Sequence, residues 1–172
     1  HLFVDPVLCV AARSARSMQH RDVTMPFVAA QDHIILSPYF DHLSFFFNRA
    51  WRLPADDVVS LMIKLADDGM GSVSRRGVDK ALTGQDRRRL DEGVRICKEI
   101  LCRFAGADAD TFLGTIIAVH PGGMLPLTER EATTLHPDRL PGNLYLADAT
   151  LLPRSLGNPP ILTLVALAKR VA

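Results

Sequence analysis

No stretch of this chain is apolar enough to cross a membrane as a helix. Its longest near-continuous apolar run covers residues 161–168, interrupted only by Thr163, far short of the ~18 residues a span needs, and no secretory leader is visible at the start. Charge of one sign is lacking too. Twenty Lys and Arg stand against nineteen Asp and Glu, a net charge of +1, which gives no general reason to expect nucleic acid or an anionic membrane as partner. Cysteine is scarce and odd in number: Cys9, Cys97 and Cys102, with no Cys-x-x-Cys pair. A disulfide framework and a zinc site are therefore not expected, and the thiols read as reduced groups of a cytoplasmic protein. His20, His33, His42 and His136 have no metal-ligand spacing. Internal repeats and low-complexity tracts are absent.

What is present fits one ordinary globular domain. Apolar residues make up 48% of 172 and charged residues 23%, within the usual range. The chain begins at His1 with residues 2–12 already reading as a strand in mid-flow, so the expectation is a piece of a longer protein. Pro6 inside that run predicts an edge strand or a bulge. Residues 23–30 and 33–36 predict short strands around a turn at Gln31-Asp32, and Ser37-Pro38 predicts a break. The aromatic-rich residues 43–51 read as strand or packed loop.

In residues 58–66, Val58, Leu61, Met62 and Leu65 fit helical spacing and Pro54-Ala-Asp-Asp resembles a helix start, but the β-branched content favours a strand. Asp67-Asp68-Gly69 predicts a turn and residues 71–74 a returning strand. The clearest element is a helix over residues 83–104. Thr83 with Asp86 resembles a capping box, Leu90, Val94, Cys97, Leu101 and Phe104 form a stripe, and Gly106 is a stop. Arg87, Arg88 and Arg89 read as its solvated face. Residues 115–119 and 143–147 predict strands, and Pro159-Pro160 opens a closing helix over residues 161–171. Strands, a long helix, strands and a helix predict an α+β fold, a largely antiparallel sheet flanked by helices.

Two segments carry chemistry: TIIAVHPGGMLPL at residues 115–127 and NLYLADATLLPRSLGNPPILTLVALAKRVA at residues 143–172. The second resembles the closing signature of the glucose-methanol-choline (GMC) oxidoreductases. In that family a strand ends in Asp-Ala-Ser, and a loop leads to Asn-Pro and a helix ending in Ala-Leu-Ala-x-Arg. The first resembles the family's His-Pro-x-Gly-Thr motif, and the two stand in the family's order. LFVDP at residues 2–6 is similar to the point where the family's first FAD-binding stretch ends and its substrate domain begins.

The resemblance implies the carboxy-terminal, substrate-binding and catalytic part of an FAD-dependent oxidoreductase acting on a small-molecule alcohol. Residues 1–140 would be the substrate domain, and residues 141–172 would complete the FAD-binding domain with the closing strand and helix. His120 would be the catalytic base, since alcohol oxidation removes a hydroxyl proton as hydride leaves carbon and imidazole is the side chain suited to that near neutral pH. Asp148 and Ala149 would face the ribityl or diphosphate region of FAD. Pro159, Pro160 and Ile161 would present a helix end to the flavin, with Ile161 N–H the first main-chain donor.

Met124 departs from the motif, and an ungapped alignment puts Pro159 rather than Asn158 at the family's second catalytic position, so either residue stands there. The chain has no Gly-x-Gly-x-x-Gly turn for the ADP half of FAD. That half, expected upstream, would be the chain's partner, and exposed apolar surface would otherwise favour a homo-oligomer. Two other readings stand beside this one. One is a non-catalytic binding module without an FAD domain. The other is a hydrolase built from Ser155, His120 and Asp148, which lacks the Gly-x-Ser-x-Gly elbow.

Overall fold

Hydrophobic periodicity accounts for most of the architecture seen in a computed structural model that describes residues 1–172. Strand β1, Phe3–Arg13, is buried at every position but the last, as its near-continuous apolar run requires. It lies inside a sheet rather than at an edge. The order is β2-β3-β4-β1-β7, and a further strand, β8, also pairs with β1. Here β2 is Ala29–Gln31, β3 Ile34–Pro38, β4 Val58–Leu65, β7 Thr111–Leu113 and β8 Ile117–Gly122. The β1–β4 ladder starts at Val7↔Lys64, one residue after Pro6. The missing proline N–H therefore falls just outside that ladder, which is how an interior strand tolerates it.

The ladders β1–β4, β1–β7, β2–β3 and β3–β4, and the separate β5–β6 pair, are antiparallel. With three helices in the chain, the fold is α+β with a mostly antiparallel sheet, as expected. Several local expectations are corrected. The β2–β3 turn is Asp32-His33, one residue later than expected, closing the pair Gln31↔Ile34 with Asp32 in the left-handed region at φ 48°. Ser37 and Pro38 continue β3 and pair with Met62 and Leu61. Residues 43–51 are neither strand nor loop. They form a short helix α1, His42–Phe47, capped by Asp41, and a 3-10 turn, Arg49–Trp51. Beyond Asp68, β5 (Ser72–Ser74) pairs with β6 (Gly77–Asp79) instead of returning on β4. Residues 143–147 form no strand: Leu144 and Tyr145 are exposed, leaving no buried face to favour pairing.

Two helices match the sequence closely. Helix α2 is Gly84–Ala105, and Thr83 and Asp86 close the predicted box: the Thr83 N–H and hydroxyl both donate to Asp86 Oδ2, at 2.9 and 2.7 Å, and Asp86 N–H donates to Thr83 Oγ1 at 3.0 Å. Its buried stripe runs Asp86, Leu90, Cys97 and Leu101, whereas Phe104 is 67% exposed. Helix α3 is Ile161–Val171.

The chain divides into two compact units. Unit 1 comprises residues 1–5, 66–86 and 118–172, and unit 2 residues 6–65 and 87–117. Residues 141–172 thus share a unit with 118–140. Unit 2 holds most of the apolar core: Val10, Trp51, Val58, Ile63, Leu65 and Cys97 are each fully buried. Trp51 donates from Nε1 to the Leu113 carbonyl at 3.0 Å and stands edge-on to Phe112, 5.5 Å between centroids. Unit 1 carries all the sequence-predicted site residues.

Candidate functional site

His120 lies within β8, yet its backbone is left-handed, at φ 50°. That conformation is uncommon away from glycine, with His among the enriched exceptions, and such outliers collect at functional positions. The residues after it explain the shape. Gly123 has φ 83°, and its N–H donates to the Ala149 carbonyl at 3.0 Å. Leu125 and Leu127 continue this pattern onto the Thr150 and Leu151 carbonyls, each at 3.0 Å. The HPGG segment is thereby fastened along residues 149–151. Glycine is required at 122, since a Cβ there would meet the ring tip of Phe3 and lie 2.5 Å from the Ala149 carbonyl.

The His120 ring is held from one side. Its Nδ1 lies 2.8 Å from Oδ2 of Asp5, a carboxylate whose side chain is 2% exposed against 31% for His120. The other Asp5 oxygen accepts from the Ser155 hydroxyl, and Ser155 Oγ in turn accepts from Gly157 N–H at 3.1 Å. Residues 5, 120 and 155 therefore form one hydrogen-bonded cluster from three distant parts of the chain. No protein group bonds His120 Nε2.

Asp5 is the member that sequence reasoning missed. A signal existed: a carboxylate set within the apolar run HLFVDPVLCVAA has to be paired if that strand is buried. Its neighbours are also fixed by carboxylates. Val4 N–H donates to Asp67 Oδ1 at 3.4 Å, and Asp67 forms an ion pair with Lys80. Burial, the largest influence, lifts the Asp67 carboxyl above its ordinary value although Lys80 opposes it.

The other predicted residues take separate places. Asp148 caps a 3-10 turn, Ala149–Leu151, by accepting from Thr150 N–H at 2.8 Å. Asn158 and Pro159 are exposed in the loop before α3, and neither hydrogen-bonds His120. Pro160 is buried at the amino end of α3, where no side chain caps the helix and no acidic residue occupies the first turn. Ile161 is 68% exposed. Ser155 bonds Asp5 rather than His120, so the serine has no imidazole base on it, and Asp148 is not part of the cluster. A hollow of about 430 Å³, lined by Gly69 to Ser72, Asp79 and residues 81–83, includes none of these residues.

No family profile matches the chain. The uncharacterized protein MJ1450 of Methanocaldococcus jannaschii is similar to it, 28% identical over 174 aligned residues that take in 99% of this chain and 44% of that protein. The chain thus spans less than half the length of this relative. No helix is long and apolar enough to cross a membrane.

Proposed function

We propose that this chain is the catalytic, carboxy-terminal part of an FAD-dependent oxidoreductase of GMC type that oxidises an alcohol, with His120 as the base. The observation that carries the reading is the His120 imidazole. It is anchored through Nδ1, partly exposed, and without a protein partner at Nε2.

The amino end of α3 suits the flavin half of FAD. Pro159 and Pro160 have no N–H, so Ile161 N–H is the first donor of an uncapped helix end, and such an end favours an anionic group. Asp148 and Ala149 are assigned to the ribityl or diphosphate side by the resemblance, with one Asp148 oxygen already engaged by Thr150. The ADP half has no binding turn in this sequence, and an upstream segment of a longer protein is proposed to supply it. FAD, when bound, supplies the hydride acceptor. His120 takes the hydroxyl proton of the substrate at Nε2, Asp5 holds the ring, and the fastened HPGG segment keeps it in place. Asn158 and Pro159 remain the two candidates for a second residue at the substrate. A cytoplasmic setting is proposed with this, on the three free thiols. The proposed occupant of the exposed α3 residues Ile161, Leu162 and Val165 is the FAD-binding half, with a second copy of the chain as the alternative read from mass in solution.

Flavin absorbance and FAD titration of the full-length protein beside this chain test the reading. The full-length protein is expected to be yellow and to reduce its flavin with an alcohol. His120→Ala is expected to keep FAD and lose ~10²–10⁴-fold in kcat, the usual scale for a general base. A full-length protein that binds no FAD overturns the proposal and leaves a binding module without catalysis.

A further inference from the structure

The cluster around His120 does more than hold a ring, because the direction of each proton in it follows from its neighbours. Gly157 N–H donates to Ser155 Oγ. The Ser155 hydroxyl contacts Asp5 Oδ1, and an ionised carboxylate only accepts, so the hydroxyl proton lies on that contact. Asp5 Oδ2 likewise accepts at His120 Nδ1, 2.8 Å away. The proton of a neutral His120 ring therefore sits on Nδ1, and the lone pair sits on Nε2.

We infer that Asp5 is a positioning residue that sets the tautomer of His120, and that Ser155, oriented by Gly157, fixes which face of Asp5 the histidine meets. The role of His120 as base rests on the proposed function. The tautomer assignment does not, since it follows from the hydrogen bonds made by an ionised Asp5. One consequence is specific to this arrangement. In Asp5→Asn, the Ser155 hydroxyl demands the amide oxygen on its own side. The amide NH₂ then faces His120 Nδ1 and donates to it, which moves the ring proton to Nε2 and removes the lone pair from the open side. Removing the Ser155 hydroxyl as well frees the amide to turn over. A structural role for Asp5 alone gives no reason for this reversal.

The experiment is nitrogen-15 NMR of the histidine rings in this chain above their titration, with His120→Gln assigning the signal among six histidines. Unmodified chain is expected to show the Nδ1–H form, Asp5→Asn the Nε2–H form, and Asp5→Asn with Ser155→Ala a return towards Nδ1–H. An Nε2–H ring in the unmodified chain overturns the inference without any variant having to fold. An unchanged tautomer in a folded Asp5→Asn protein overturns it as well.

In the full-length protein, Asp5→Asn is expected to lower kcat ~10²-fold or more while KM stays within about threefold, since a base in the wrong tautomer spoils the chemical step rather than binding. If the NMR result holds and no flavin activity exists, the proposed function fails and the positioning role stands. If His120→Ala abolishes activity and the tautomer does not respond to Asp5, the positioning role fails and the base stands.

Discussion

The two units bury different kinds of group. Unit 2 folds around apolar side chains: β1 from Val7 onward, β3, β4 and the inner stripe of α2 contribute almost the whole buried hydrophobic set. Unit 1 contributes only Leu2, Phe3, Val4 and Leu151 to that set, yet buries four carboxylates, those of Asp5, Asp67, Asp86 and Glu131, where unit 2 buries one, Asp41, and one cation, Lys64. Each carboxylate ties a loop by accepting from N–H or O–H groups or from Lys80. Asp86 joins Thr83 to Asp68 N–H at 3.0 Å. Glu131 accepts from Thr128 N–H and hydroxyl and from Asp138 N–H, each at 2.7 Å. Burial of apolar area is non-directional and sets stability, whereas charge-assisted hydrogen bonds set geometry. The unit that carries His120 is the one built on the second principle.

Substitutions can break this contrast in order of expected size. Ile63→Ala removes a fully buried side chain of unit 2 that also packs where a Cβ on Gly93 would fall. It is expected to cost ~2–5 kcal/mol, the range for large-to-small changes in a core, measured by urea unfolding followed by far-UV circular dichroism. Asp86→Ala leaves Thr83 and Asp68 donors without their acceptor and is expected to cost ~1–3 kcal/mol, read as a lower midpoint in the same titration. A loss equal to that of Ile63→Ala would erase the distinction between the units.

The smallest effect is acid-dependent. Hydrogen bonds from Thr128 N–H first, then its hydroxyl and Asp138 N–H, hold the Glu131 carboxyl down at about 2 from an ordinary 4.5. A carboxyl lowered in the folded state stabilises it fully above 4.5, and that contribution fades as pH falls toward 2. Asp67, lifted chiefly by burial, works in the opposite direction, so Glu131→Gln is needed to isolate the effect. The Thr128 amide is expected to shift between pH 4.5 and 2 in the parent chain and to shift much less over that window in Glu131→Gln.

The same contrast explains which features the sequence made legible. The interior of unit 2 follows from hydrophobic patterning, and the α2 box and the Pro-Pro start of α3 follow from local chemistry within four residues. Strand β4 is ambiguous locally because Val58, Leu61, Met62 and Leu65 fit helical spacing while the β-branched content of the segment favours a strand. Pairing through β1 resolves it. Pro6 misled because a proline marks an edge only when its N–H would fall in a ladder. In the site, His120 was visible as part of a motif. Asp5 and the link to Ser155 were not, since they join residues 115 and 150 positions apart, and no local pattern encodes such a pairing.

Trp51 is the single tryptophan of the chain, fully buried in unit 2. Its fluorescence is therefore a reporter of one unit alone, while Tyr145 in unit 1 is already 58% exposed. Loosening of the carboxylate-tied loops is dark to tryptophan emission. A denaturation curve in which ellipticity moves ahead of the emission maximum marks the histidine-bearing unit opening first, and coincident curves mark a single cooperative transition.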